Sequence, residues 1–401
     1  MMMSASARQE QAPSLAYAAS EAWPFFGDDE IAAVEETLRS GKVNQWAGTK
    51  VRAFEEAYAR HVGSGRAIAL ANGSLALELA LRAFGIGPGD EVIVTPRTFV
   101  ASAFCAMLVG ATPVFADVDR ASGNITPETI AAVVTSRTKA VIPVHLAGWP
   151  ADMPGITALA RQHGLRVIED CAQAHGAEIG GRPVGSFGDA AAFSFCQDKI
   201  ISTGGEGGML LLQDDDAYDW AWSFKDHGKD RKRATAPQAR PGFRWLHDSV
   251  GTNWRMTEIS AVIGLLQLGK LEQWRGLRAR NSGIWADALA TVPGLRVPLP
   301  PAGSTGAFYK FYAYVDGQDH LEHRRDAVLA EIAGLGLKGL SGSCSEVYKE
   351  AAFQGLNASV LPVAKDLGQA SLMFEVHPTL DPHRLRDRAA AVAHVTARSL
   401  A

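Results

Sequence analysis

The stretch GDAAAFSFCQDKIISTGGEGGML, residues 188–210, decides how the rest of the chain is read. DAAAFSF at its start and GGMLLLQ at its end are short apolar runs of strand character. Between them a loop presents Lys199, followed at once by Gly204, Gly205, Glu206, Gly207 and Gly208, and Ser194 stands where the first strand gives out. A lysine is ordinarily a solvated surface charge. One set between a buried strand and a dense glycine turn lies where backbone comes close to a ligand. Lysine is also the side chain that forms Schiff bases with carbonyl cofactors when its amine is free.

Working outward, short apolar runs alternate with helical ones. RAIALA precedes SLALELALRAFG, EVIVTP precedes FVASAFCAMLVG, TPVFADV precedes TPETIAAVV, KAVIPVHL precedes MPGITALARQHG, and LRVIED follows. This alternation predicts an α/β layer with a mostly parallel sheet. Ahead of it, DDEIAAVEETLRSG places Ile31, Val34 and Leu38 on one helical face, and GTKVRAFEEAYARHV does the same with Val51, Phe54 and Tyr58. Beyond it, a long helix begins near Met256, VPGLRVPLPPAGSTG is a connector, FYKFYAYV alternates like a strand, and RRDAVLAEIAGLGL is amphipathic. The expected organisation is a flexible arm over 1–22, a large α/β domain over 23–258 and a smaller α+β domain over 259–401.

The composition agrees with a soluble enzyme large enough for two cores: 401 residues, 47% hydrophobic and 20% charged. Thirty-nine Lys and Arg against 43 Asp and Glu give a formal charge of -4, with no basic block to suggest nucleic acid or an acidic membrane. Cys105, Cys171, Cys196 and Cys344 stand far apart, without metal-ligand spacing, so no disulfide framework and no metal site is expected. With no signal-peptide core and no membrane-spanning stretch, a cytoplasmic protein is expected.

Loops at the carboxyl ends of parallel strands are where such sheets bind ligands, and TPRTF, PVHLAG and EDCAQAHG fall there. In VIEDCAQAH, Asp170 ends a strand and Gln173 follows in the loop. Such a carboxylate can be a helix cap, a salt-bridge partner or, in a pyridoxal-phosphate enzyme, the group that keeps the pyridine nitrogen protonated. In LANGSLALELALRAFG, Gly73 and Ser74 lie between strand and helix, where N–H groups and the helix dipole suit a phosphate, although Ser74 or Asn72 as a plain cap explains the same letters. GIGPGD at 85–90 precedes a strand rather than a helix, so it is a turn and no dinucleotide fingerprint.

Taken together, ANGSLAL, GDEVIVTPRTFVAS, PVHLAGWPADM, RVIEDCAQAHGA, SFGDAAAFSFCQDKIISTGGEGG, KDHGK and GTNWRMTEISAVIG make the chain resemble, over nearly its whole length, the DegT/StrS-type sugar aminotransferases. The resemblance implies the aspartate-aminotransferase-like fold of pyridoxal 5'-phosphate enzymes. It implies Lys199 as the Schiff-base lysine, Asp170 at the pyridine nitrogen, Gln173 near the ring's phenolic oxygen, Ser194, Gly73 and Ser74 around the phosphate, and Phe99 stacked on the ring. The alternative role for Phe99 is a core anchor for the helix that follows. Asn253 matches a position that reaches the phosphate of a neighbouring subunit, which implies a homodimer with shared sites.

Arg255 is a candidate for the donor carboxylate or for interface packing, His227 for the substrate side, and His145 for either pocket or core. The implied reaction moves an amino group from L-glutamate to a keto or aldehyde sugar, most often nucleotide-linked, with pyridoxamine phosphate between the two halves and ping-pong kinetics. Two alternatives stand beside it: a deoxysugar dehydratase, whose close examples carry histidine where Lys199 stands, and a regulatory relative without turnover. SLMFEVHPTL and SGSCSEVYKE depart from the resembled pattern on the substrate side.

Overall fold

The computed structural model describes residues 21–401 apart from 64, 238–241, 318, 357 and 358. Most of the expected arm, residues 1–20, lies outside the described residues. Its last two residues are held in place: the Asp381 N–H donates to Glu21 Oε1 at 3.2 Å and the Thr379 hydroxyl to the Ala22 carbonyl at 3.0 Å.

In chain order the large layer comprises α1 (Asp28–Arg39), α2 (Lys50–Val62), β1 (Arg66–Leu70), α3 (Gly73–Ala83), β2 (Glu91–Val94), α4 (Ala101–Leu108), β3 (Thr112–Phe115), α5 (Pro127–Ala131), β4 (Thr138–Ile142), α6 (Met153–His163) and β5 (Arg166–Asp170). The short strands β6 (Glu178–Ile179) and β7 (Arg182–Pro183), then β8 (Ala190–Ser194), β9 (Gly208–Leu212), α7 (Asp215–Phe224) and α8 (Arg231–Thr235) follow. The remainder is α9 (Glu258–Leu289), β10 (Leu295–Arg296), β11 (Ser304–Thr305), β12 (Phe311–Val315), α10 (Leu321–Gly334), α11 (Pro362–Ala370), β13 (Ser371–Phe374) and α12 (Pro382–Leu400).

The main sheet has seven strands in the order β1-β9-β8-β5-β4-β2-β3, parallel except for β9, which runs antiparallel to both β1 and β8. Both faces are covered, so β2 and β9 are buried along their whole lengths. Leu77, Leu79, Ala103 and Trp222 pack on one face, and Val51, Phe54, Tyr58, Leu271 and Trp274 on the other. A second sheet, β10-β12-β13, is antiparallel and packs with α10, α11 and α12. The 32-residue α9 touches α1 and α2 as well as α12, and the expected division between 258 and 259 falls at its first turn.

The two opening helices differ from expectation in one respect. The predicted stripe of α2 is buried, whereas Ile31 and Leu38 of α1 are 58% and 54% exposed. α1 docks by its charges instead: Lys270 of α9 lies 2.7 Å from Asp29 Oδ2 and 2.6 Å from the buried Glu30 Oε1, which turns the apolar stripe outward.

Candidate active site

The carboxyl ends of β5 and β8, with the turn after β1, bring the candidate residues together. β8 ends at Ser194, whose Oγ accepts the Cys196 N–H at 3.3 Å, and the loop then turns tightly, with the Lys199 N–H bonded to the Cys196 carbonyl at 3.0 Å. Gly204 and Gly205 adopt φ of +87° and +122°, which explains the glycines there. Gly208 and Gly73 answer a different demand, close approach. A Cβ on Gly208 would lie 2.2 Å from the Asn72 carbonyl oxygen, and one on Gly73 would lie 2.7 Å from Ser194 Cβ. The turn at 72–74 is thus pressed against the ends of β8 and β9. Asn72 takes the capping role, its Oδ1 accepting the Leu75 N–H at 3.0 Å. Ser74 is left exposed, its hydroxyl without a partner among the described residues.

Asp170 is 5% exposed at the end of β5. Its Oδ2 accepts the Ser102 hydroxyl at 2.7 Å and its Oδ1 the Ala172 N–H at 3.1 Å, while Ser102 meets Thr98 Oγ1 at 2.9 Å. Burial pushes its carboxyl above the usual aspartate range, against the pull of those two donors and of the Lys199 charge. Among the described residues it joins no ion pair. A buried carboxylate of this kind calls for a cationic N–H. Gln173, 6% exposed, uses Oε1 to accept the Ala147 N–H at 2.7 Å, which turns its amide N–H₂ the other way.

Lys199 Nζ stands 3.5 Å from the Tyr309 hydroxyl and 3.7 Å from Asp198 Oδ1. Tyr309 also donates to Asp198 Oδ2. Neither partner was singled out in the sequence. Tyr309 lies 110 residues from Lys199, beyond any local pattern. His175, within the quoted VIEDCAQAH, also escaped a role. It is buried between the Tyr58 hydroxyl, 2.7 Å from Nδ1, and the Ser194 carbonyl, 2.8 Å from Nε2. Burial holds it neutral, down to about 3. Its position five residues after Asp170 was the available signal.

The other candidates make no side-chain hydrogen bond to Lys199 among the described residues. Phe99 is 67% exposed on the loop after β2, one turn before Ser102. Asn253 is exposed, beside Trp254, whose carbonyl accepts the Ala71 N–H at 3.0 Å. Arg255 Nη1 is bound to Asp226 Oδ1 at 2.7 Å, and Asp226 also meets Lys229 Nζ at 2.8 Å and Trp46 Nε1 at 3.1 Å. His227 is exposed at φ +60°. Among the described residues no hydrogen bond or ion pair ties Arg255 or His227 to Lys199. His145 is fully buried and satisfied, with Nε2 3.3 Å from Glu169 and Nδ1 accepting the Ala151 N–H at 3.0 Å, which makes it a core histidine.

Comparison with known proteins places the chain in a family. The DegT/DnrJ/EryC1/StrS aminotransferase family matches residues 25–393. The chain is 38% identical over 359 residues to a UDP-N-acetyl-3-dehydro-alpha-D-glucosamine 3-aminotransferase of Acidithiobacillus ferrooxidans, covering 88% of this chain and 89% of that one. It is 42% identical over 285 residues to the GDP-perosamine synthase of Caulobacter vibrioides, covering 71% and 74% respectively. A solved aminotransferase from Psychrobacter cryohalolentis superposes with a TM-score of 0.91 at 50% identity, over 94% of this chain and 98% of that one. The chain therefore belongs to the DegT/DnrJ/EryC1/StrS aminotransferase family and has its α/β aminotransferase fold.

Proposed function

We propose that this enzyme uses pyridoxal phosphate to move an amino group from L-glutamate to a keto or aldehyde sugar, nucleotide-linked, in amino-sugar biosynthesis. The observation that carries the reading is the convergence of Lys199, the buried Asp170, which joins no ion pair among the described residues, and the close-packed turn at Gly73. The residues present fit the cofactor. Asp170 offers a desolvated negative charge to a pyridinium N–H, Gln173 an amide donor to a ring oxygen, and the start of α3 with Ser74 and Ser194 a set of donors to a phosphate. Lys199 would hold the cofactor covalently, and Phe99 would cover its ring.

When bound, the cofactor supplies an electron-accepting ring that stabilises negative charge at the carbon losing its proton. Asp170 would hold a positive charge on that ring's nitrogen, and Lys199 Nζ would carry the proton taken from the donor's Cα. Asn253, exposed and without a side-chain partner in its own chain among the described residues, supports a homodimer in which it serves the other subunit's phosphate. The sugar reading rests on the relatives' names, which refer to UDP- and GDP-linked chemistry. Among the described residues no helix is long and apolar enough to cross a membrane.

The test is the visible absorption of the protein supplied with pyridoxal phosphate, before and after L-glutamate, with Lys199→Ala beside it. A band that needs Lys199 and changes with glutamate supports the proposal. Absence of any band overturns it, and a deoxygenated keto sugar as product, formed without glutamate consumption, would point to dehydration instead.

A further inference from the structure

We propose that Tyr309, oriented by Asp198, is the positioning partner of the Lys199 amine, holding it whenever it is not covalently engaged; this rests on Lys199 carrying the chemistry proposed above. The phenol is fixed from both sides. The Tyr309 N–H donates to the Ala147 carbonyl at 2.9 Å, its own carbonyl accepts from Arg278 Nη1 at 3.3 Å, and the ring is 7% exposed. Its hydroxyl proton is committed to Asp198 Oδ2, so an oxygen lone pair remains for the amine 3.5 Å away. Lys199 Nζ also lies 4.9 Å from the Tyr309 ring centre. Burial and the Asp198 charge hold the phenol far above its usual range, so it stays a neutral donor. Arg278 and Lys310 act on Asp198 through space, but among the described residues only Lys199 pairs with it.

This arrangement has a use in the proton transfer. When the donor's Cα–H bond breaks, its electron pair stays with carbon and the proton goes to the Nζ lone pair, leaving an ammonium with three N–H groups. Tyr309 oxygen accepts one of them, and Asp198 holds the phenol so that its lone pair faces the amine. Another N–H is handed back. Tyr309 thus sets the direction of the amine, and Asp198 acts through Tyr309.

The experiment uses Tyr309→Phe, Asp198→Asn and the double variant, with unchanged thermal midpoints as the control for folding. In the cofactor-loaded enzyme, the single-turnover rate with L-glutamate falls about tenfold in Tyr309→Phe and about threefold in Asp198→Asn. The isotope effect with α-deuterated glutamate increases while KM for glutamate stays put. The double variant is no slower than Tyr309→Phe, because one residue works through the other. In the cofactor-free protein, acylation of Lys199 by limiting acetic anhydride, read by peptide mass spectrometry against exposed Lys139, rises in Tyr309→Phe. Unchanged labelling, or effects that multiply in the double variant, overturns the proposal. A wild-type chain that takes up no pyridoxal phosphate overturns the functional reading instead, and the labelling still reports the hold on Lys199.

Discussion

Asp170, Gln173, Ser194 and Lys199 lie on or beside central strands, and each has a hydrogen-bond partner within its own chain. Phe99, Asn253 and His227 lie on exposed loops and Ser74 in the exposed first turn of α3, and none has a side-chain hydrogen bond among the described residues. The first group forms a floor that the chain completes by itself; the second forms an exposed rim whose side chains face solvent. α2 and α1 repeat the contrast, one apolar stripe covered and the other left at 58% and 54% exposure. Amphipathicity announces that a face will be buried and does not say by which molecule.

If floor and rim differ in this way, damage to the floor costs most. Lys199→Ala should abolish the cofactor's visible band and lower kcat by at least about 10⁴-fold, a loss that stopped-flow and steady-state assays can both read. Asp170→Asn keeps the shape but not the charge, and kcat should fall about 10²- to 10³-fold with thermal stability retained. Asn253→Ala should weaken pyridoxal phosphate binding by about tenfold, measured by cofactor titration. If that residue serves the other subunit, mixing Asn253→Ala with Lys199→Ala chains restores activity by pairing one intact lysine with one intact asparagine. Failure of the mixture places Asn253 in its own subunit's site and breaks the comparison.

The smallest effect concerns stability. Since burial lowers His175 to about 3 in the folded state, the unfolded chain binds more protons below about pH 6.5. The contribution is complete above that pH and is lost as pH falls towards 3, at up to about 1.4 kcal/mol per pH unit. His175→Gln should flatten the acid side of a urea-midpoint profile. An unchanged profile would mean that the floor does not depend on a neutral ring there.

The legible parts were those whose cause is local. Strand β8, its exit at Ser194, the glycines after Lys199 and the carboxylate ending β5 follow from periodicity and turn chemistry over a few residues. Tyr309, Ser102 and Tyr58 were not legible, because each reaches its partner from another part of the chain and its own surroundings read as ordinary core. Arg255 shows the reverse: a side chain suited to a donor carboxylate is taken by Asp226, which no spacing rule anticipates.

The antiparallel strand has a consequence for synthesis. Among the described residues β1 pairs in the sheet with β9 alone, and the wall behind Gly73 is built from Gly208 and Ser194. At ribosomal speeds of about 5–20 residues per second, the chain carrying β1 waits on the order of ten seconds before its only strand partner exists. During that time an apolar edge, RAIAL, is unpaired. A nascent chain at that stage offers an unpaired edge to chaperones and to mispairing, and the edge is covered in the same event that closes the turn at 72–74.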